Sequence, residues 1–346
     1  MRKRPSHEER APSPTLEDVA RAAGVSTATV SRCLNAPERV VAKTRERVLS
    51  VVQELGYAPN FGARALAARR TNTIGAIIPT MENAIFARGL QAFQEELAEH
   101  GLTLLVASSS YRPELEEQQI RTLLARGADA LLLIGFERSQ AVYDFLERRS
   151  VPFIIAWAHR EGAGQIAIGF DNRKPMRELG DRVFGLGHRR LAIITAPRTV
   201  NDRARDRVSG ILEAARTHGV QEREVRIIET EYSVENGAKA MGQLMAMTPR
   251  PTAVMCGNDV LAVGAIGMAR TLGLAIPGDV SVTGFDDIEL ARIVMPSLTT
   301  VHVPHREMGR QAARRIAGLL AGERSRQGME LATAIVERES LGPAPE

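Results

Sequence analysis

Residues Thr15 to Asn35, TLEDVARAAGVSTATVSRCLN, decide how the first part of the chain folds. Thr15 and Asp18 stand at the N-cap and N3 positions of a capping box, and Gly24 predicts the end of the helix that they open. Ser26 is placed to cap a second helix directly afterwards. The spacing therefore predicts a helix-turn-helix, a motif that lays its second helix in the major groove of DNA.

The second predicted helix turns Val30 and Leu34 inward and leaves small and hydroxylated side chains outside. Its predicted outer face consists of Thr27, Ala28, Thr29, Ser31 and Arg32. Such side chains let a helix enter the major groove, where hydroxyls reach phosphates and an arginine can bind guanine. The alternative is an ordinary amphipathic helix on a protein surface.

The next segments favour the DNA-binding interpretation. Lys43 to Leu55 predict a third helix, which Gly56 ends. The following stretch, FGARALAARR at Phe61 to Arg70, is too short to be a stable helix by itself in water. Residues 1–14 are polar and predict a disordered tail.

Together these segments resemble the headpiece of the lactose/galactose repressor (LacI/GalR) family. The matching motifs are TLEDVA, GVSxxTVSR, KTRERV, ELGYxPN and ARALA, and they run from Thr15 to Ala68. The resemblance implies a DNA-binding headpiece at 15–60, followed by a hinge helix and linker at 61–72. In this family the hinge helix folds on the operator and inserts a leucine into the minor groove, which kinks the duplex.

Matching the motif residue by residue places the inserted side chain at Leu66, with Ala63 and Arg64 beside it. The alternative is that Leu66 is a linker residue that packs on Phe61. The predicted DNA contacts are Thr15, Ser26, Thr27, Ala28, Thr29, Ser31, Arg32, Asn35, Lys43, Thr44, Arg45, Tyr57, Asn60, Ala63, Arg64 and Leu66.

The charge of the chain is concentrated where the predicted headpiece lies. Residues 1–70 contain 13 Lys and Arg against 7 Asp and Glu, whereas the other 276 residues contain 32 against 34. A basic headpiece on a slightly acidic body predicts one localised phosphate-binding surface. The absence of a signal-peptide pattern and the two widely separated cysteines predict a reducing bacterial cytoplasm, with nucleoid association when the protein is bound to DNA.

From Thr73 onward, short apolar strands alternate with amphipathic helices, which predicts α/β units around parallel sheets. Strands are predicted at 73–79, 102–108, 130–134, 152–157, 190–195, 225–229, 253–257 and 280–285, the first four buried on both faces. Helices are predicted near 86–100, 114–126, 140–149, 204–218, 234–245 and 260–272. Ligands of such folds bind at the carboxyl ends of the strands.

The family resemblance extends through this region in GHRRLAII, CGNDVLAVGAI, LGLAIPGDVSVTGFDD and PSLTTV. It implies a bilobed body like that of periplasmic binding proteins, at 73–346. Lobe 1 is expected at about 73–170 and 304–333, and lobe 2 at about 171–303 and 334–346. The effector is expected between them, at Phe86, Trp157, Asp171, Arg207, Tyr232, Asn258 and Asp286.

Each of these positions also has a structural interpretation. Phe86 fits an ordinary core, Asn258 a helix N-cap and Asp286 a turn. Ile85 stands where the purine-sensing branch tends to place an aromatic residue, which argues against a purine. The stretches 111–118 and 166–172 are similar to the gluconate-sensing branch, and the sequence favours a sugar acid over a neutral sugar. Arg207 would bind the acid, with Arg203 or Arg160 as helpers.

The sequence does not favour an enzyme, a metal site or a cofactor. It has no phosphate-binding glycine loop and no nucleophile elbow. Asp286 and Asp287 are adjacent, so their side chains point apart, and His302 and His305 flank a proline and are expected to be structural.

The function predicted is a transcriptional repressor, a homodimer on a pseudo-palindromic operator that is controlled by a sugar or sugar acid. The alternative is a ligand-independent DNA-binding protein whose body only dimerises.

Overall fold

The computed structural model describes residues 14–58, 70–82 and 84–346. The chain forms two compact units, one ending at Thr71 and the other running from Asn72 to Glu346. Four predicted DNA contacts lie outside the described residues, together with most of the predicted tail and hinge: Asn60, Ala63, Arg64 and Leu66.

Within residues 14–58, the first unit forms the helices α1 (Leu16–Ala23), α2 (Thr27–Asn35) and α3 (Ala42–Leu55). The predicted capping box is confirmed, because the Asp18 amide donates to Thr15 Oγ1 at 3.3 Å and the Thr15 amide donates to Asp18 Oδ2 at 2.9 Å. Its core is small and lies between the helices: Val19, Ala20, Ala23, Val30, Cys33 and Val48. Two properly capped short helices thus become stable by packing on a third.

The second unit contains twelve strands in chain order. They are β1 (Thr73–Ile78), β2 (Thr103–Ser108), β3 (Ala130–Ile134), β4 (Phe153–Ala156), β5 (Ala167–Gly169), β6 (Leu191–Thr195), β7 (Arg226–Glu229), β8 (Ala253–Cys256), β9 (Ser281–Thr283), β10 (Thr300–His302), β11 (Met329–Glu330) and β12 (Ala334–Val336). A six-stranded parallel sheet has the order β11-β5-β4-β3-β1-β2, and a four-stranded parallel sheet has the order β7-β6-β8-β9. Strands β10 and β12 form a separate antiparallel pair.

The helices of this unit connect and cover the strands. They are α4 (Ala84–Glu99), α5 (Pro113–Ala125), α6 (Gln140–Arg148), α7 (Lys174–Gly185), α8 (Asp202–Thr217), α9 (Val234–Met245), α10 (Asp259–Thr271), α11 (Leu290–Ile293) and α12 (His305–Leu320). Helix α4 packs against α12, α7 against α8 and α9 against α10. We call the six-stranded sheet with its helices lobe 1, and the four-stranded sheet with its helices lobe 2. Among the described helices, none is long and apolar enough to cross a membrane.

All eight predicted strands and all six predicted helices of the body are present, within a few residues at their ends. The prediction that β2 is buried on both faces was wrong. Leu105 is 37% exposed and Val106 is 40% exposed, because β2 lies at the edge of its sheet and pairs only with β1. Strands β5, β10, β11 and β12 were not predicted, since each has only two or three residues.

Candidate functional site

The predicted DNA-reading face of the first unit lies on α2. Three of the five predicted outer residues are exposed: Thr27, Ala28 and Arg32. Thr29 and Ser31 are half-buried, and their hydroxyls have partners within the helix. Thr29 Oγ1 lies 2.9 Å from Ser26 Oγ, and Ser31 Oγ accepts a hydrogen bond from Asn35 Nδ2 at 3.2 Å. Thr27, Ala28 and Arg32 are therefore the side chains best placed to read bases.

The other predicted contacts surround this helix. Thr15 is exposed at the start of α1, where free backbone amides attract phosphate. Lys43 is exposed on the first turn of α3, and Thr44 and Arg45 are half-buried there. Tyr57 is half-buried and packs on the core, which fixes its position.

In the second unit, the predicted arginine is at the centre of a buried polar cluster. Arg207 Nε donates to Asn172 Oδ1 at 2.8 Å, and Arg207 Nη1 donates to the Gly257 carbonyl at 2.6 Å. Its guanidinium carbon lies 3.7 Å from the centre of the Phe285 ring, and Nη2 lies 3.8 Å from Asp286 Oδ1. The guanidinium is thus held rigidly with one edge directed toward Asp286.

Asp286 follows β9 at the carboxyl edge of lobe 2, and its backbone is left-handed with φ 106°. The residue is 1% exposed, and neither carboxylate oxygen has a hydrogen-bond partner among the described residues. Burial raises the pKa of Asp286 to about 6, against the opposing effect of Arg207 and Arg203. A buried carboxylate without a donor is costly, so this geometry indicates a site that a ligand completes.

Several other buried side chains also have unsatisfied polar atoms. Within the described part of the chain, Trp157 Nε1, Asn258 Nδ2 and both ring nitrogens of His305 have no hydrogen-bond partner. His305 Nε2 lies 3.9 Å from Asp286 Oδ1, and burial lowers the pKa of His305 to about 3, so the ring is neutral. We call Arg207, Asp286, Asn258, Trp157 and His305 the inner cluster.

Both lobes contribute to the inner cluster. Trp157 follows β4 and His305 begins α12, and their rings are 6.2 Å apart. Phe86 on α4 supports the indole, with ring centres 5.2 Å apart. Gly89 is required behind the indole, because a Cβ there would lie 2.7 Å from the Trp157 ring. Asn258 caps α10 by accepting from the Leu261 amide at 3.0 Å, which leaves its Nδ2 for another partner.

Two tyrosines stand beside the cluster, one from each lobe. The rings of Tyr111, after β2, and Tyr232, after β7, meet edge to face with centres 6.1 Å apart. Burial raises the pKa of both phenols, and both sense the charges of Arg207 and Asp286. Tyr232 was predicted to contact the effector and Tyr111 was not.

The structure corrects the prediction for Asp171. Its Oδ1 accepts hydrogen bonds from the amides of Arg173 at 2.7 Å and Lys174 at 3.1 Å, where it caps the approach to α7. The residue that reaches the cluster is the next one, Asn172, which also donates to the Trp157 carbonyl at 3.0 Å. A one-residue error of this kind arises because the turn after β5 directs consecutive side chains to opposite sides.

The expected helper arginines are also engaged elsewhere. Arg203 Nη1 donates to Asp202 Oδ1 at 2.9 Å, and Arg160 Nη2 donates to Asp206 Oδ2 at 2.9 Å. The two histidines that were expected to be structural have different surroundings: His302 lies 3.0 Å from Asp287, whose carboxylate also accepts from Arg338, whereas His305 lies in the inner cluster. The predicted divergence of Asp286 and Asp287 is confirmed.

Comparison with known proteins agrees with both units. Residues 15–60 match the lacI family of bacterial regulatory proteins, and residues 181–341 match a periplasmic binding protein-like domain. The chain is 33% identical over 335 residues to the HTH-type transcriptional repressor PurR of Erwinia tasmaniensis, covering 96% of this chain and 98% of that protein.

Solved structures show the same fold. The lac repressor dimer bound to operator and the anti-inducer ONPF has a TM-score of 0.84 at 26% identity, covering 95% of this chain and 99% of the other. A complex of the transcriptional regulator CelR with cellobiose has a TM-score of 0.69 at 29% identity, covering 94% and 99%. This chain belongs to the lacI family of bacterial regulatory proteins and is a DNA-binding transcriptional regulator with a periplasmic binding protein-like body.

Proposed function

We propose that this regulator is a repressor whose operator binding is controlled by a neutral, polyhydroxylated sugar held in the inner cluster. The observation that carries the proposal is the buried Asp286 carboxylate beside Arg207, with both oxygens unpaired within the described structure. Sugar hydroxyls donate and accept at once, so they can satisfy Asp286, Asn258 and Trp157 together. The CelR relative was solved with a sugar, cellobiose.

Charge favours a neutral sugar over the sugar acid that the sequence suggested. The inner cluster holds one cation, Arg207, and one anion, Asp286, while His305 is neutral. The helper arginines are paired with Asp202 and Asp206. A ligand carboxylate would therefore add a second buried negative charge without a free cation to balance it.

On DNA, we propose that a homodimer places two headpieces on a pseudo-palindromic operator, as the two-fold symmetry of such dimers requires. The lac repressor relative is a dimer on its operator. Coupling between sugar and operator requires that the sugar bind one arrangement of the lobes more tightly than another. We place this activity in the bacterial cytoplasm and assign the body to binding rather than catalysis.

Isothermal calorimetry on the full chain tests the ligand class, with gluconate and related hexonates, neutral hexoses and pentoses, and guanine and hypoxanthine as probes. We expect a neutral sugar to bind and Arg207→Ala to abolish that binding. The control is Arg177→Ala, which removes an exposed arginine of α7 outside the inner cluster. Binding of hexonates alone would contradict the neutral class, and tight binding by Arg207→Ala would contradict the site.

The ligand-independent alternative predicts a different result. If no sugar, sugar acid or nucleobase changes either the melting temperature or operator affinity, the body serves dimerisation only. The unsatisfied buried atoms of Asp286, Asn258 and Trp157 argue against this outcome, because a body without a ligand gains nothing from leaving them unpaired.

A further inference from the structure

A cavity lies along the same carboxyl edge of the lobe 2 sheet as the inner cluster, at the ends of β6 and β7, whereas the cluster lies at the ends of β8 and β9. The cavity has a volume of about 670 Å³ and lies between lobe 1 residues after β1 and β2 and lobe 2 residues after β6 and β7. We call it the outer pocket. This volume is within the range of small-molecule sites. None of the five inner-cluster side chains lines it, so the proposed function leaves it without an occupant.

Tyr111 and Tyr232 line the outer pocket, one from each lobe, and their rings meet edge to face. Tyr232 follows β7, whereas Asn258 and Asp286 of the inner cluster follow β8 and β9 of the same four-stranded sheet. The tyrosine pair therefore lies along the same carboxyl edge as the residues that would hold a ligand unit at Asp286.

The backbone under Tyr111 is held in an unfavourable conformation. Ser110 and Tyr111 are consecutive non-glycine residues with left-handed backbones, φ 50° and 57°. Such residues persist only where the surrounding structure imposes them, and they cluster at ligand sites. Here the conformation turns the Tyr111 ring across the cleft toward Tyr232 of the other lobe.

The lining of the outer pocket suits a sugar. Besides the two aromatic rings, it consists largely of hydroxyl and amide side chains, among them Ser110, Asn201, Ser233 and Asn236. Its charged residues are Glu82, Glu231 and Arg112, which leave a net negative charge. Aromatic faces with hydroxyl and amide groups at the edge can hold a neutral carbohydrate ring, and the excess carboxylate disfavours an anionic one.

From this arrangement we infer that the effector is an extended glycoside of at least two units. One neutral sugar unit occupies the inner cluster, and a second unit passes between Tyr111 and Tyr232 into the outer pocket. The inference rests on the proposed function, because it needs the first unit to be seated at Asp286 and Arg207.

Calorimetry on the full chain tests it with matched series: glucose, galactose and xylose, their methyl glycosides, and the corresponding α1,4- and β1,4-linked disaccharides. We expect one disaccharide to bind at least tenfold more tightly than its monosaccharide, with one ligand per chain. Met81→Trp, at a 62%-exposed position of the pocket rim, is expected to remove that advantage and leave monosaccharide affinity within twofold. Leu272→Trp, at a 49%-exposed position outside the pocket, is the control.

Tyr111→Phe keeps the ring and is expected to retain the disaccharide preference, whereas Tyr111→Asn keeps a residue tolerant of the left-handed backbone and is expected to lose it. Equal affinity for monosaccharide and disaccharide would overturn the extended ligand and leave the inner site standing. Two ligands per chain, or a preference that survives both Met81→Trp and Tyr111→Asn, would also overturn it. If no carbohydrate binds, the proposed function fails and this inference fails with it.

Discussion

The side chain of Asp286 combines burial, a left-handed backbone and two unpaired oxygens. Its position is imposed by neighbouring backbone pairing, since the Asp286 amide donates to the Val301 carbonyl at 2.9 Å. The carboxylate therefore cannot turn to solvent to recover hydration. The cost of burying the ionised carboxylate therefore depends on whether a ligand in the site donates hydrogen bonds to it.

A neutral sugar should bind more weakly as pH falls through about 6. The pKa of Asp286 is raised from 3.8 to about 6, so the carboxylate is mainly ionised at pH 7 and mainly protonated at pH 5. Only the ionised form accepts hydrogen bonds from sugar hydroxyls at both oxygens. His305, with a pKa near 3, and the phenols of Tyr111 and Tyr232, whose pKa values burial raises, remain neutral over this range. Burial also raises the pKa of the neighbouring Asp259 carboxyl, which Asp286→Asn leaves in place.

Calorimetry between pH 5 and 8 checks this prediction. Asp286→Asn should lower affinity at pH 7 by about tenfold or more, the loss typical of a hydrogen bond to a charged group, and should flatten the profile. A sugar acid would show the opposite slope, because protonating Asp286 relieves the repulsion between two carboxylates. An unchanged profile in Asp286→Asn would show that another group titrates.

For single residues of the inner cluster, the sequence indicated the kinds of side chain that hold a ligand, but it did not give every position. Arg207, Asn258 and Asp286 could be predicted because strand ends and family motifs bring them to one edge of a sheet. Asn172 and His305 could not, since their positions depend on contacts with residues far away in the sequence, Arg207 for Asn172 and Trp157 for His305. An unexplained polar pair after a strand, Asp171 and Asn172, was the one available signal for the former.

At the scale of elements, α2 shows how far local sequence rules reach. Its N-cap, Ser26, and its inward-facing Val30 follow from short-range spacing, and both agree with the structure. Thr27 and Ala28 lie exposed at its first turn, where helices of this motif contact base edges.

Substituting Thr27 and Ala28 together should change the preferred operator sequence without unfolding the headpiece. Arg45→Ala, at the start of α3, should weaken all DNA sequences similarly and lower the salt slope of log affinity by about one unit. Selection from a random DNA pool, followed by salt titration, measures both effects. An unaltered consensus after the double substitution would remove α2 from base recognition.

The C-terminal tail is fastened to lobe 2 through a buried histidine. His188 Nε2 lies 3.0 Å from the Gly342 carbonyl, which can only accept, so Nε2 carries the proton. His188 Nδ1 lies 3.0 Å from Thr252 Oγ1. Burial lowers the pKa of His188 below its usual 6.5, so the folded chain keeps the ring neutral.

The unfolded chain takes up a proton at this histidine below about pH 6.5, whereas the folded chain takes it up only at lower pH. His188 therefore makes the free energy of unfolding fall as pH drops through about 6.5. Urea unfolding at pH 7.5 and 5.5 should therefore show a smaller loss for His188→Gln than for the unsubstituted protein. Exposed His100→Gln is the control. The lowered pKa of His305 also makes the free energy of unfolding fall with pH, but it does so equally in the His188→Gln variant and in the unsubstituted protein, so their difference reports His188. Equal losses would contradict the role of His188.

At the scale of the whole body, the alternation of strands and helices predicts two parallel sheets, but it says little about how the lobes meet. The contacts that join them are few and distant in sequence. Asp202, the first residue of α8, accepts a hydrogen bond from the Phe136 amide of lobe 1 at 2.7 Å. Arg205 pairs with Glu137 at 2.5 Å, and Arg88 pairs with Glu289. No periodic pattern marks such pairs, so only the structure reveals them.

Asp202 is 0% exposed and also accepts from Arg203, so it fixes the lobes in the arrangement that assembles the inner cluster. Asp202→Ala would leave the Phe136 amide of lobe 1 without its acceptor in that arrangement alone, at a cost of about 1–3 kcal/mol. Because the effector contacts both lobes, its affinity should fall by about fivefold to a hundredfold, with the operator consensus unchanged. Glu137→Ala, which breaks a more exposed pair, should change affinity by less than about fivefold. Calorimetry on the two variants side by side decides it: equal affinities would mean that the lobes are held together by their packing and that the effector does not depend on the Asp202 contact.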